Sequence, residues 1–191
     1  MSALADSLES TFSIHLDIVS GGNSANLDWA FGSAQPGRIN NLRLGESLLL
    51  GCKTLHRCPI GGLHTDAITL IAEVIESKIK PSQPWGTIAQ NAFGELPVAN
   101  DRGDIAQAIL AIGHQDIDPQ GLSTPLGITI IDSSSDHLIV QCDSLLAVGT
   151  ELPFQINYSA LTRAMTSPFV IKKMKQQRKL VPVRDCIPCI E

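Results

Sequence analysis

Apolar and polar positions change period several times along the chain. Leu4, Leu8 and Phe12 recur at helical spacing, which predicts a short amphipathic helix over residues 2–11. From Phe12 to Val19 apolar and polar residues alternate, the pattern of a strand with one buried face. The run Ser20-Gly-Gly-Asn-Ser24 then reads as a turn, and Ala25–Phe31 as one or two helical turns. A second strand is predicted over Ile39–Leu44, with Gly45–Leu50 either continuing it or opening a helical turn. Strand, helical connection and strand make a parallel pair. Further on, Ala67–Ser77, Ile105–Ile112, Ile128–Ile131, Leu138–Cys142 and Leu152–Ile156 are rich in β-branched and other apolar residues. Turn clusters at Lys80–Pro84, Asp116–Pro125, Asp132–Asp136 and Val148–Glu151 separate them.

This change of character divides the chain near residues 52–65. The expected fold class is α/β plus all-β, with a partial α/β segment over 1–52, an antiparallel barrel or sandwich over 53–171, and a basic tail over 172–191. Six of the 14 basic residues lie in that tail, leaving a body of charge −9. An acidic body argues against nucleic acid as a partner. No apolar run reaches the ~18 residues that span a bilayer, and the first ten residues carry acids where a signal peptide carries bases. The expectation is a cytoplasmic protein with no membrane partner.

Five cysteines, at 52, 58, 142, 186 and 189, do not suggest a disulfide framework. Cys186 and Cys189 have the spacing of half a zinc site, but no second pair of ligands accompanies them, so no metal is expected. The Gly-rich stretch before residue 25 carries more chemistry. A strand followed by a tight turn and a helix aims backbone N–H groups at one point, which suits a phosphate. Two glycines after a strand also make an ordinary turn, and neither a dinucleotide fingerprint nor a P-loop sequence is present.

Five ordered motifs narrow the reading. Ser20-Gly-Gly-Asn-Ser-Ala-Asn-Leu27, Asn40-Asn-Leu-Arg-Leu-Gly-Glu46, Ala111-Ile-Gly-His-Gln-Asp116, Ser133-Ser-Ser-Asp-His137 and Asn157–Pro168 resemble, in this order, the alanine/ornithine racemase family over about residues 12–171. The resemblance implies the C-terminal half of a pyridoxal-phosphate enzyme, namely the last strands of a (β/α)8 barrel followed by a β domain. It implies that Ser24 holds the cofactor phosphate, with the N–H groups of Gly45 and Glu46 completing the cradle and Tyr158 bonding the phosphate from below. Arg43 then meets the pyridine nitrogen, where a permanently charged guanidinium keeps the ring nitrogen unprotonated. His114 stands where alanine racemases have a Tyr that serves as acid/base, and Ser135 and Asp136 match the turn that approaches the substrate carboxylate.

Each of these residues also admits a structural part. Ser24 could cap helix 25–31, Arg43 pair on the surface, Tyr158 sit half-buried, His114 serve as a hydrogen-bonded structural side chain, and Ser135-Asp136 cap a hairpin turn. The family's Schiff-base lysine lies in its first barrel strand, and Lys53, Lys78 and Lys80 fall outside any matching motif. The implied function is therefore part of an amino-acid racemase, inactive alone, that pairs with itself or with a separate barrel half. The alternatives are a non-catalytic dimerisation module and a phosphate-ester or nucleotide binder built on residues 20–24.

Overall fold

In the computed structural model the chain is described over residues 1–33, 35–87, 89–90, 94 and 101–175. The described residues form two compact units, Met1–Ile68 and 69–175. Arg178, Lys179, Arg184, Cys186 and Cys189 lie outside them.

The first unit opens with helix α1 (Ser2–Phe12), at the predicted position. It ends where Ser13 takes the left-handed conformation (φ 51°). The strand expected over 12–19 does not form, and the strand β1 lies instead at Ser20–Asn23, in the stretch read as a turn. The reason is the supply of backbone partners. The Asn40 side chain accepts from Val19 N–H (2.9 Å) and donates to the Asp17 carbonyl (2.8 Å), satisfying this segment without a ladder. The Ile14 and Ile18 side chains stay exposed. Residues 20–23 instead pair in parallel with β2 (Asn41–Arg43). Between them come a 3₁₀ turn (Ser24–Asn26) and helix α2 (Leu27–Phe31), so the strand–helix–strand unit stands. Glu46–Leu50 takes the helical alternative as α3.

The second unit is one six-stranded antiparallel sheet followed by a helix. Its strands are β3 (Thr69–Pro81), β4 (Asp104–Leu110), β5 (Leu122–Ser123), β6 (Ile128–Ser133), β7 (Leu138–Cys142) and β8 (Glu151–Ile156), in the order β5-β8-β3-β4-β7-β6. The long β3 serves two partners in turn: Thr69–Glu73 pair with β8, and Val74 to Pro81 with β4. The ladder slips between Val74 and Glu76, inserting an extra residue where β3 changes partner. Alternate residues point inward, so Leu70, Ala72 and Val74 of β3 meet Ala106, Ala108 and Leu110 of β4, Leu138 and Val140 of β7, and Phe154 of β8 in one core. The sheet is the β domain expected, and one helix follows it. Asn157 caps a further helix, α4 (Tyr158–Thr166), by accepting from Ala160 N–H at 3.0 Å, and α4 buries Ala160, Leu161 and Ala164.

Candidate functional site

Each unit carries one cluster of the residues singled out by sequence. In the first, local geometry brings three segments to Ser24. Gly22 adopts φ +100°, a conformation that a side chain strains, and a Cβ there would stand 3.0 Å from Leu42. Asn23 caps the 3₁₀ turn by accepting from Ala25 N–H (2.9 Å), while the Asn26 side chain accepts from Asn23 N–H (3.0 Å). Asn23 therefore takes the capping part considered for Ser24, and the Ser24 hydroxyl turns elsewhere. Parallel pairing of β1 and β2 sets the start of α3 beside it. The Ser24 oxygen accepts from Gly45 N–H at 3.3 Å, Ser47 N–H at 3.4 Å and the Ser47 hydroxyl at 3.1 Å.

That arrangement is over-subscribed. A hydroxyl oxygen offers two lone pairs, and both amide contacts are longer than the usual 2.9–3.0 Å for N–H···O. Ser24 and Ser47 are both buried. Buried donors sharing one weak acceptor suit an oxygen anion, which would accept from all of them at shorter range. The amide that joins Gly45 at Ser24 belongs to Ser47, which sequence reasoning missed; its signal was a serine at the start of the apolar run Leu48–Leu50. The Glu46 carboxylate is taken by the Arg57 guanidinium. Arg43 closes β2 with an exposed side chain that makes no ion pair among the described residues. Beside Ser24, a recess of about 10 Å³ is lined by Lys53, which pairs with Asp28 at 2.7 Å, and by Thr54, whose buried hydroxyl has no hydrogen-bond partner among the described residues. It has room for one water at most.

In the second unit the turn after β4 and the hairpin turn between β6 and β7 are laced together. His114 N–H donates to the Ser134 carbonyl (2.9 Å) and Gln115 N–H to that of Ser135 (3.0 Å). Gly113 makes the approach possible: a Cβ there would stand 2.6 Å from Asp136 N. His114 Nε2 lies 2.7 Å from the Ser133 hydroxyl. From α4, Arg163 donates to the carbonyls of His114 (3.0 Å) and Ile117 (3.2 Å). The Ser135 hydroxyl donates to the Asp136 carboxylate at 3.0 Å. His114, Ser135 and Asp136 are thus neighbours, and Tyr158 stands at the start of the helix that holds their turn, its side chain partly exposed.

The shifted titrations lie elsewhere. Arg38 beside Glu9, with the Leu16 N–H, holds that carboxyl down from 4.5 to about 2, and Glu9 and Asp6 raise Arg38 in return. Lys78 and Lys80 hold Glu76 at about 2. Burial pushes the Cys142 thiol up, assisted by Asp143. Among the described residues no cluster of three or more His, Cys, Asp or Glu is placed to hold a metal. No helix among them is long and apolar enough to cross a membrane.

Comparison with known proteins places these motifs. The chain is 40% identical to ornithine racemase of Acetoanaerobium sticklandii over 176 residues, covering 90% of this chain and 50% of that protein. It is 38% identical to lysine racemase of Thermotoga maritima over 172 residues, covering 88% of this chain and 49% of that one. By sequence the chain is a homologue of ornithine and lysine racemases, as its motifs led one to expect, and it spans about half the length of the curated relatives it matches. No family model matches it. Among solved structures, alanine racemase from Oenococcus oeni aligns at a TM-score of 0.45 and 15% identity, covering 89% of this chain and 50% of that one.

Proposed function

We propose that this polypeptide is the phosphate-cradle and β-domain portion of an amino-acid racemase that works with pyridoxal phosphate. The observation that carries the reading is the homology to two racemases over about nine-tenths of the chain. Both relatives are named for amino acids with a basic side chain, and a substrate of that class is proposed here. The oversubscribed Ser24 hydroxyl fits a cofactor phosphate: Gly45 N–H, Ser47 N–H and the two serine hydroxyls would hold it. Bound there, pyridoxal phosphate would supply an electron-withdrawing ring that acidifies the α-C–H of an amino acid. Arg43 would face the ring nitrogen, and Tyr158 would bond the phosphate. His114 would take or return the α-proton on one face, a task that suits an imidazole near neutral pH, and Ser135 with Asp136 would meet the substrate carboxylate.

Covalent attachment needs a lysine, and those nearest the motifs are already engaged: Lys53 with Asp28, Lys78 and Lys80 with Glu76. The resemblance puts the attaching lysine in the family's first barrel strand, which none of the matching motifs includes, so it would come from outside them. In this reading the chain racemises nothing until a barrel half joins it, and a self-associated form would carry the same requirement.

Titration of the purified chain with pyridoxal phosphate tests this, read by absorbance and by intact mass after borohydride reduction. The expected result is saturable binding, displaced by inorganic phosphate and weakened about tenfold or more by Ser24→Ala, without a stoichiometric reduced adduct. An adduct on one lysine would overturn the placement of the attaching group. Absence of binding in both the chain and its assembly with a barrel half would leave the non-catalytic dimerisation module as the better account.

A further inference from the structure

The His114–Ser133 contact joins residues 19 apart in sequence and has no part in the reading above. Two chemistries fit a serine hydroxyl 2.7 Å from an imidazole nitrogen. One is a nucleophilic pair, in which the imidazole removes the serine proton. Such a pair needs amide donors beside it to receive the oxyanion. Here the amides are engaged: His114 and Gln115 N–H bond the Ser134 and Ser135 carbonyls, Ser133 N–H the Asp132 carboxylate, and Asp136 and His137 N–H the Ser134 hydroxyl. The other chemistry is orientation of the ring.

We infer that Ser133 is the positioning residue for the His114 imidazole, holding Nε2 and thereby the ring plane. The inference rests on the reading of His114 as an acid/base. An imidazole has two side-chain torsions, and proton transfer needs one nitrogen aimed along one line. The backbone of this turn is already fixed. Arg163 clamps the His114 and Ile117 carbonyls from α4, and the 133–137 turn takes the His114 and Gln115 amides. Ser133 adds a contact at the far end of the ring, so main chain and ring tip are each held. Its own main chain is fixed in turn, with its N–H on Asp132 at 2.8 Å, at the end of β6 where the ladder pairs Ser133 with Leu138. The hydroxyl thus stands on a sheet edge rather than on a mobile loop.

The test reads the ring directly, by ¹⁵N spectra of the imidazoles in the full chain, with the His114 signals assigned by their loss in His114→Gln. In the wild type His114 Nε2 should show the shift of a hydrogen-bonded ring nitrogen. In Ser133→Ala the Nε2 shift should move toward that of a histidine model compound in water, and Ser133→Thr, which keeps the hydroxyl, should restore it. In the assembly with a barrel half, Ser133→Ala should lower kcat about tenfold with KM within about twofold. Ring shifts unmoved in Ser133→Ala would overturn the positioning contact. Shifts that move while His114→Gln retains full α-proton exchange would overturn the acid/base reading itself, and with it the purpose of the contact.

Discussion

In the second unit Val74, Leu110, Ile117, Leu138, Val140 and Phe154 have essentially no accessible surface, whereas the buried apolar side chains of the first unit are Ala5, Val19 and Leu50. Full burial of one large apolar side chain contributes about 1.5–3 kcal/mol, so the β sheet has its own driving force. The first unit is tied by polar contacts instead: Arg38 to Asp6 and Glu9, Asn40 to the 17–19 segment, and three donors to Ser24. Leu4, Leu8, Phe12, Leu48 and Leu49 stay exposed there. The difference teaches what holds each unit: side-chain burial in the second and polar ties in the first, while apolar side chains stay exposed in both, among them Ile71, Ile75, Ile79 and Leu126 in the second.

The strongest way to break this comparison is to empty the larger core. Phe154→Ala should cost about 3–5 kcal/mol, the range for removing a buried aromatic ring, read as a lowered urea midpoint for near-ultraviolet or amide signals of residues 69–175. Leu50→Ala in the first unit should cost clearly less. Equal losses would mean that the first unit has a core of comparable strength.

Gly22→Ala sharpens the comparison from the other side. A side chain at φ +100° in contact with Leu42 should cost about 1–2 kcal/mol and move the 3₁₀ turn that carries Ser24. Phosphate binding should weaken with it, which a phosphate titration would show, while the spectrum of the sheet stays unchanged. Asn157→Ala comes next, at about 1 kcal/mol for a lost N-cap. It should fray the start of α4 and speed amide exchange there.

The same contrast governs what was legible in the sequence. β7 was read at its true bounds, Leu138–Cys142, because its alternation buries Leu138, Val140 and Cys142. β1 was misplaced because Ser20–Asn23 has no apolar pattern; it is a strand only through its pairing with β2. β5 and α4 were missed for similar reasons. Two residues of β5 are defined by their partner β8, and α4 follows a cap whose meaning depends on the helix after it. At the cradle, Ser24 was legible from its Gly-rich setting, whereas Ser47 becomes significant only when parallel pairing lays α3 beside it. The contact of His114 with Ser133 depends on the register of β4, β7 and β6, which spacing alone does not reveal.

The smallest effect expected is also the most diagnostic of the two units, because the same chemistry occurs in both. Glu9 and Glu76 each have a carboxyl lowered from 4.5 to about 2 by paired cations. A depressed carboxyl contributes stability that is complete above its unfolded value of about 4.5 and is lost as pH falls through about 2. In the second unit the loss falls on a surface group of β3, over a core that does not depend on it, so the sheet's amide protection should hardly change. In the first unit Glu9 joins α1 to Arg38, so acidification through this range should speed exchange of the α1 amides well before the sheet responds. Salt should do the same in part, since these pairs reach solvent and are screened over about 8–10 Å at physiological ionic strength. Hydrogen exchange followed from pH about 5 to about 2 reads both units in one experiment. Uniform protection across the chain would show that α1 is held by more than its ion pairs, and would remove the contrast on which the polar account of the first unit stands.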